Sequence, residues 1–309
     1  MALTTNKEIL DAAKVGGYAV GAFNTSNLEI TQAIVEAAVE KRSPVIVSTS
    51  PSALAYAGIK NISKIVRTLA AEAPVPIALH LDHGLDFETV VKCIKHGWTS
   101  VMIDASKQTF ADNAALTRKV VEVAHLAGVS VEAELGRLVG IEDHVNVSER
   151  EASLTDPAEA ARFVKETGCD VLAVAVGTSH GAYKFKGEAK LDFARLSAIA
   201  GVVSVPLALH GASGVNKEAV ETAIRYGAGT KLASAAGVPD DAIRQAVKNG
   251  IQKINIDTDL RLAFVSALRE ALATKPDEID VRKLLQPGRE AVKAAVARKI
   301  ELFGSAGKA

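Results

Sequence analysis

Three of the chain's seven histidines, His83, His180 and His210, each precede a glycine near the end of a short apolar run. Imidazole is the commonest ligand for a divalent transition metal, and three histidines around one open position make a catalytic zinc arrangement. The three are far apart in sequence. They converge only if the fold gathers strand ends, and otherwise each simply hydrogen-bonds within a polar rim. Carboxylates collect at the same places: Asp82, Asp104 and Glu134. Three buried carboxylates need pairing, hydrogen bonds or a metal, and the histidines supply compensating partners. Singly, Asp82 before Gly84 and Asp104 before Ser106 also read as helix caps. His80 is expected on the opposite strand face from His83, or behind a ligand. His96, His125 and His144 fall in helices or loops and read as surface or packing residues.

Glycines carry a second signal. Gly181, Gly211 and Gly214 follow directly on strand-end polar groups. Glycine lets backbone N–H groups approach an anion closely, and successive N–H groups form a phosphate nest. Each alone reads as a turn residue. Together with Ala212 and Ser213, and with Asn255, Ile256, Asp257 and Thr258, they point to a phosphorylated substrate beside the candidate metal.

The elements that must position these residues follow one rhythm. Eight apolar runs, at residues 19–23, 45–47, 77–81, 100–103, 129–133, 171–176, 206–209 and 252–256, recur about every 33 residues, the size of one βα unit. Amphipathic helical stretches lie between them, legibly at 28–42, 110–127 and 157–167. Gly97, Gly128 and Gly168 stand where a left-handed helix end is needed. Strands alternating with helices imply parallel pairing. Eight units without a low-complexity linker predict an α/β fold, one closed (β/α)8 TIM barrel over the whole chain. Its site then lies at the C-terminal strand ends, with phosphate after the seventh and eighth strands. Residues 260–272 and 288–303 read as further helices. Residues 274–287 between them, with two prolines, read as an extended connector. The extension at 260–309 is expected to reach a neighbouring subunit.

Composition narrows the partners. Lysine plus arginine number 36 and aspartate plus glutamate also 36, so net charge is zero. That balance argues against a nucleic-acid binder and against a polybasic membrane surface. No uninterrupted apolar stretch is long enough to span a membrane, and no targeting segment is visible. The two cysteines, Cys93 and Cys169, are too few for a disulfide framework and read as buried small hydrophobes of a cytoplasmic protein.

Six ordered motifs carry a resemblance. They are Gly21-Ala22-Phe23-Asn24, Leu79-His80-Leu81-Asp82-His83-Gly84, Val131-Glu132-Ala133-Glu134-Leu135-Gly136, Gly177-Thr178-Ser179-His180-Gly181, Leu209-His210-Gly211-Ala212-Ser213-Gly214 and Lys253-Ile254-Asn255-Ile256-Asp257-Thr258-Asp259-Leu260-Arg261. With them the chain resembles the shorter branch of the class II, metal-dependent fructose-1,6-bisphosphate aldolases, over nearly its whole length. The resemblance implies a catalytic zinc on His83, His180 and His210, with Asp104 and Glu134 at a second or alternative divalent position. It implies Asp82 as the acid–base at the C4 hydroxyl. Gly181, Gly211, Ala212, Ser213, Asn255, Ile256, Asp257 and Thr258 would hold the dihydroxyacetone phosphate half. A monovalent cation, Na+ or K+, would lie near those glycine carbonyls. Asn24 and Ser50 would contact substrate, Ser50 at the aldehyde half. Lys184 would cap the phosphate from a loop. Arg261, and Arg282 from another subunit of a homodimer or homotetramer, would bind the second phosphate. Residues 138–146 resemble the loop whose acidic residue moves the C3 proton, with Glu142 the candidate and Asp143 adjacent. The implied role is aldol cleavage in glycolysis and gluconeogenesis.

Elementary chemistry agrees. Aldol cleavage leaves negative charge on an enediolate, which a divalent ion stabilises as a Lewis acid. A Schiff-base lysine would be the alternative. Lys253 opens the last apolar run and is expected at the end away from the site. A tagatose-1,6-bisphosphate aldolase would share every motif, since its substrate is the C4 epimer. A metal-dependent hydrolase on the same fold would need the histidines and carboxylates without paired phosphate nests. A barrel without catalysis would be expected to have lost motif residues, and none is lost.

Overall fold

In a computed structural model, residues 3–137, 139–142, 145–147, 153–180 and 191–309 are described, with backbone alone at 139–142, 145–147, 179–180 and 231. In chain order the strands are β1 (Val20–Asn24), β2 (Val45–Thr49), β3 (Ile77–Gly84), β4 (Ser100–Ile103), β5 (Ser130–Leu135), β6 (Val139–Glu142), β7 (Val145–Val147), β8 (Val171–Val174), β9 (Ser179–His180), β10 (Leu207–Leu209) and β11 (Ile251–Ile256). The α-helices are α1 (Asn6–Gly16), α2 (Leu28–Lys41), α3 (Pro51–Ala57), α4 (Ile59–Glu72), α5 (Phe87–Lys95), α6 (Phe110–Leu126), α7 (Pro157–Thr167), α8 (Phe193–Val202), α9 (Lys217–Arg225), α10 (Asp240–Lys248), α11 (Thr258–Thr274) and α12 (Val281–Phe303).

Eight strands, β1, β2, β3, β4, β5, β8, β10 and β11, pair in that order, and β11 returns to β1 to close the barrel. All the pairings are parallel, and closure is carried by Val20 opposite Lys253 and Ala22 opposite Asn255. The expected (β/α)8 barrel is therefore the observed fold. Period-two alternation divides its apolar residues into two sets. Phe23, Val47, Leu79, Val101, Val131, Leu172, Leu209 and Ile254 face outward into the core shared with the helices. Val20, Ala22, Ile46, Ala78, Val171, Ala173 and Ala208 face the lumen and form a separate cluster with Ile9, Leu10 and Ala13 of α1. α1 thus plugs the barrel at the N-terminal end of the strands, and Thr4 donates its N–H to the carbonyl of Ile77 there. A reciprocal Thr5–Glu8 capping box starts that helix.

The strands run further than the apolar runs suggest. β3 continues through Gly84 and β5 through Leu135, carrying Asp82, His83 and Glu134 within the sheet. Residues 138–146, read from sequence as a loop, include β6 and the start of β7, an antiparallel pair that β9 extends in parallel. The connector expected at 274–287 is also corrected. α12 starts at Val281 and contains Pro287. Gly288, next to the proline, lets α12 approach α11 closely, since a Cβ there would stand 2.9 Å from the Phe264 ring. α12 is tied to α2 by ion pairs of Arg289 with Glu36 and of Lys293 with Glu40 (2.9 Å).

Candidate active site

The C-terminal strand ends bring Asp82 and His83 of β3, Asp104 after β4, Glu134 of β5 and His210 after β10 together. Asp82, His83 and His210 offer ligand atoms within 4.8 Å of one another, as do His83, Asp104 and Glu134. His83 Nδ1 lies 2.9 Å from Asp104 Oδ2, and His210 Nε2 lies 2.7 Å from Glu132 Oε1. The inner nitrogens, His83 Nε2 and His210 Nδ1, are 3.0 Å apart.

The carboxylates assign the ring protons. Each outer nitrogen donates its N–H to a carboxylate, leaving the inner nitrogens of neutral rings as acceptors. A hydrogen bond between two acceptors requires one ring to be an imidazolium. Burial opposes protonation of His83, but Asp82, Asp104 and Glu134 around it raise its pKa well above the usual value. Burial and the charges of Lys253 and His83 lower that of His210, against the opposing pull of Glu132. Of the two rings, His83 is the one whose surroundings favour a proton. One divalent ion can take the place of that proton, with carboxylates already orienting both rings. Glu134 Oε2 is buried without a hydrogen-bond partner, 3.8 Å from His210 Nδ1. Burial and the charges of Asp104 and Glu132 hold the Glu134 carboxyl well above the usual range. An unpartnered oxygen beside two paired imidazoles fits a metal centre.

Asp82 lies next to this cluster and accepts from two amides, Asn24 Nδ2 at 2.9 Å and Asn255 Nδ2 at 2.8 Å. Burial opposes its ionisation, but the neighbouring His83, His210 and Lys253 hold it below the usual carboxylate range. The helix-cap reading is corrected for both Asp82 and Asp104, because α5 is capped by Asp86 and α6 by Thr109. Asp104 does accept from Ser106, while its other oxygen faces His83.

Asn24 and Ser50 line a cavity of about 380 Å³ with Tyr56, Leu260, Asp257 and Arg261. Asp257 grips Arg261 through both carboxylate oxygens, at 2.8 and 2.6 Å. The loop after β10 meets the end of β11 where Ser213 Oγ accepts the Asp257 N–H at 3.3 Å. Gly211 there has φ of 62°, in the left-handed region. Thr258 is half-buried at the first position of α11. The side chains of Ala212 and Ile256 are fully buried in the outer core, so only their backbones can serve a ligand. Arg282 does not line this cavity; it sits in the first turn of α12, paired with Asp280 at 2.8 Å. His180 is in β9, with its side chain outside the described residues. The Glu142 side chain, Asp143, Gly181, Lys184 and His144 also lie outside them.

Sequence reasoning placed Lys253 at the far end of its strand, and the structure corrects this. Its ammonium is fully buried in the lumen, 2.8 Å from Glu132 Oε2. Glu132, assigned no role from sequence, stands behind His210, and His80 lies beside Glu132, as one of its two expected placements had it. His80 contacts Asn6 and Ser100, at 3.2 and 2.9 Å, and its Nε2 lies 3.5 Å from Glu132. The available signal was parity. Glu132 and Glu134, and Lys253 and Asn255, are two apart on their strands and so share a face.

Comparison with known proteins decides the family. The sequence signature described as fructose-bisphosphate aldolase class-II matches residues 4–308. The chain belongs to that family. It is a lyase by class, and the family is generally zinc-dependent. A fructose-bisphosphate aldolase of Thermus caldophilus is 54% identical over 308 residues, 99% of this chain and 100% of the relative. One from Helicobacter pylori is 48% identical over 99% of both chains. Among solved structures, the YdjI aldolase of Escherichia coli K12 superposes with a TM-score of 0.80 at 34% identity over 99% of each chain.

Proposed function

We propose that the chain catalyses zinc-dependent, reversible cleavage of fructose 1,6-bisphosphate to dihydroxyacetone phosphate and glyceraldehyde 3-phosphate, in glycolysis and gluconeogenesis. The observation that carries this reading is the pair of imidazoles, each fixed from behind by a carboxylate, with Asp82 alongside. His83, His180 and His210 would hold zinc, which supplies Lewis-acid stabilisation of the charge left on the ketone half. His83, Asp104 and Glu134 would offer a second divalent position.

Asp82 takes the C4 hydroxyl proton in cleavage and returns it in synthesis. Its two amide donors, Asn24 and Asn255, fix the carboxylate that receives the proton. Glu142 moves the proton at C3. Gly181, Gly211, Ala212 and Ser213, with Asn255, Ile256, Asp257 and Thr258, receive the first phosphate largely through backbone N–H groups, beneath Lys184 and beside a monovalent cation. Ser50 contacts the aldehyde half. Arg261, oriented by Asp257, meets the second phosphate, joined by Arg282 from a neighbouring subunit of a homodimer or homotetramer. The extension at 260–309 forms that contact. Among the described residues no helix is long and apolar enough to cross a membrane, and both cysteines are free and buried. These features fit a cytoplasmic enzyme.

Exhaustive chelation should abolish triose phosphate production, and zinc should restore it; activity untouched by chelation would sink the metal assignment. Borohydride added with substrate should not inactivate, whereas a trapped lysine adduct would establish Schiff-base chemistry. Cleavage should be faster for fructose than for tagatose 1,6-bisphosphate. The reverse preference would reassign the substrate to the C4 epimer.

A further inference from the structure

The loop of residues 211–214 is held from below by a buried ion pair. Asp259, in the first turn of α11, accepts the Gly214 N–H on Oδ2 at 2.9 Å. The same oxygen lies 2.8 Å from Nζ of Lys299 in α12, with the two side chains 5% and 3% exposed. The ammonium presses against the loop itself, since a Cβ on Gly214 would stand 3.0 Å from Lys299 Nζ. Two further bonds hold the neighbouring Ser213, whose carbonyl accepts from Val238 N–H at 3.1 Å and whose Oγ accepts from Asp257 N–H. Val215, just beyond, has φ of 53°, a left-handed conformation that a β-branched residue keeps only when its surroundings impose it.

We propose that Lys299 is a positioning residue for this loop, acting through Asp259, and that its charge makes the loop tolerant of a phosphate dianion. The inference rests on the reading of residues 211–214 as a phosphate site. A buried carboxylate bonded to that loop would by itself repel a dianion bound there. Lys299 cancels the charge while leaving the carboxylate free to accept the Gly214 N–H. The C-terminal helix thereby contributes to substrate binding within its own chain, apart from any contact with a neighbour.

The test compares Lys299→Met, Asp259→Asn and the double variant as zinc-loaded full-length proteins. It measures kcat and KM for fructose 1,6-bisphosphate and competitive inhibition by inorganic phosphate. Lys299→Met should raise both KM and the phosphate inhibition constant by about tenfold, with kcat changed far less. Asp259→Asn should lower the phosphate inhibition constant, because it removes negative charge. The double variant should return close to the parent, since asparagine still accepts the Gly214 N–H. Equal weakening by both single variants, or parental constants in Lys299→Met, would overturn the proposal. If Lys299→Met does not fold, Asp259→Asn and the double variant decide it. Weakened phosphate inhibition in either, or parental inhibition in Asp259→Asn, would count against the charge role, and stronger inhibition in Asp259→Asn that returns to parental in the double variant would uphold it. Absence of phosphate inhibition in the parent protein would instead remove the phosphate reading of the loop.

Discussion

His210 and Lys253 meet on one carboxylate: Glu132 Oε1 lies 2.7 Å from His210 Nε2, and Glu132 Oε2 lies 2.8 Å from Lys253 Nζ. All three side chains are buried to 1% exposure or less. The lysine neutralises the glutamate, whose pKa is held far below the usual range against the cost of burial. The glutamate in turn fixes the ring proton of a candidate metal ligand. With His210 as a ligand, charge balance deep in the lumen would bear on metal affinity at the mouth.

Lys253→Met should strand the Glu132 charge and destabilise the protein by about 3–5 kcal/mol. Adding Glu132→Gln should recover much of that stability. Metal affinity should still be about 10–100-fold weaker, because an amide is a poorer acceptor for the His210 N–H. Denaturant unfolding and chelator competition read the two effects separately. Parental stability of Lys253→Met would refute the charge balance.

Asp82→Ala should lower kcat/KM for cleavage by about 10²- to 10⁴-fold while zinc content stays at the parental level. Asn255→Ala, which removes one of the two amides on that carboxylate, should lower it less. Metal analysis beside a coupled assay for triose phosphates checks both. Normal turnover by Asp82→Ala would remove its acid–base role.

Gly288→Ala should destabilise the protein by about 1–3 kcal/mol although alanine is the better helix former, because the added methyl meets the Phe264 ring. Thermal unfolding measures it. A rise in melting temperature would mean that α11 and α12 have slack between them.

Neither cysteine should react with iodoacetamide in the folded protein near pH 8. Burial pushes both thiols up to about 12, and both are enclosed in the core. Mass spectrometry should find both alkylated only after denaturation. Rapid labelling of the native protein would show that one of them is reachable.

Much of this was legible because it depends on local pattern. A run of β-branched and small residues followed by polar residues marks a strand end in a barrel, and eight such ends named nearly every candidate side chain. Pro287 misled for the opposite reason. Proline usually marks a break, yet α12 runs through it, held by its packing on α2 and α11.

The order of the eight barrel strands, the residue types at their ends and the family motifs were settled by the sequence alone, since spacing and residue type are one-dimensional properties. The meeting of His83 with Asp82 was decided only in three dimensions. Neighbours on a strand point to opposite faces, and parity would send His83 into the outer helical layer. The pairing of β3 with β4 shifts register between Leu81 and Gly84, and His83 takes a φ of 48°. That left-handed turn costs about 1–3 kcal/mol and persists only because the surrounding structure imposes it. It brings the imidazole round to the same site as the carboxylate before it. The Glu132–Lys253 pair was hidden for the same kind of reason. A lysine within an apolar run is tolerable only where a closed barrel places a carboxylate 121 residues away against its ammonium.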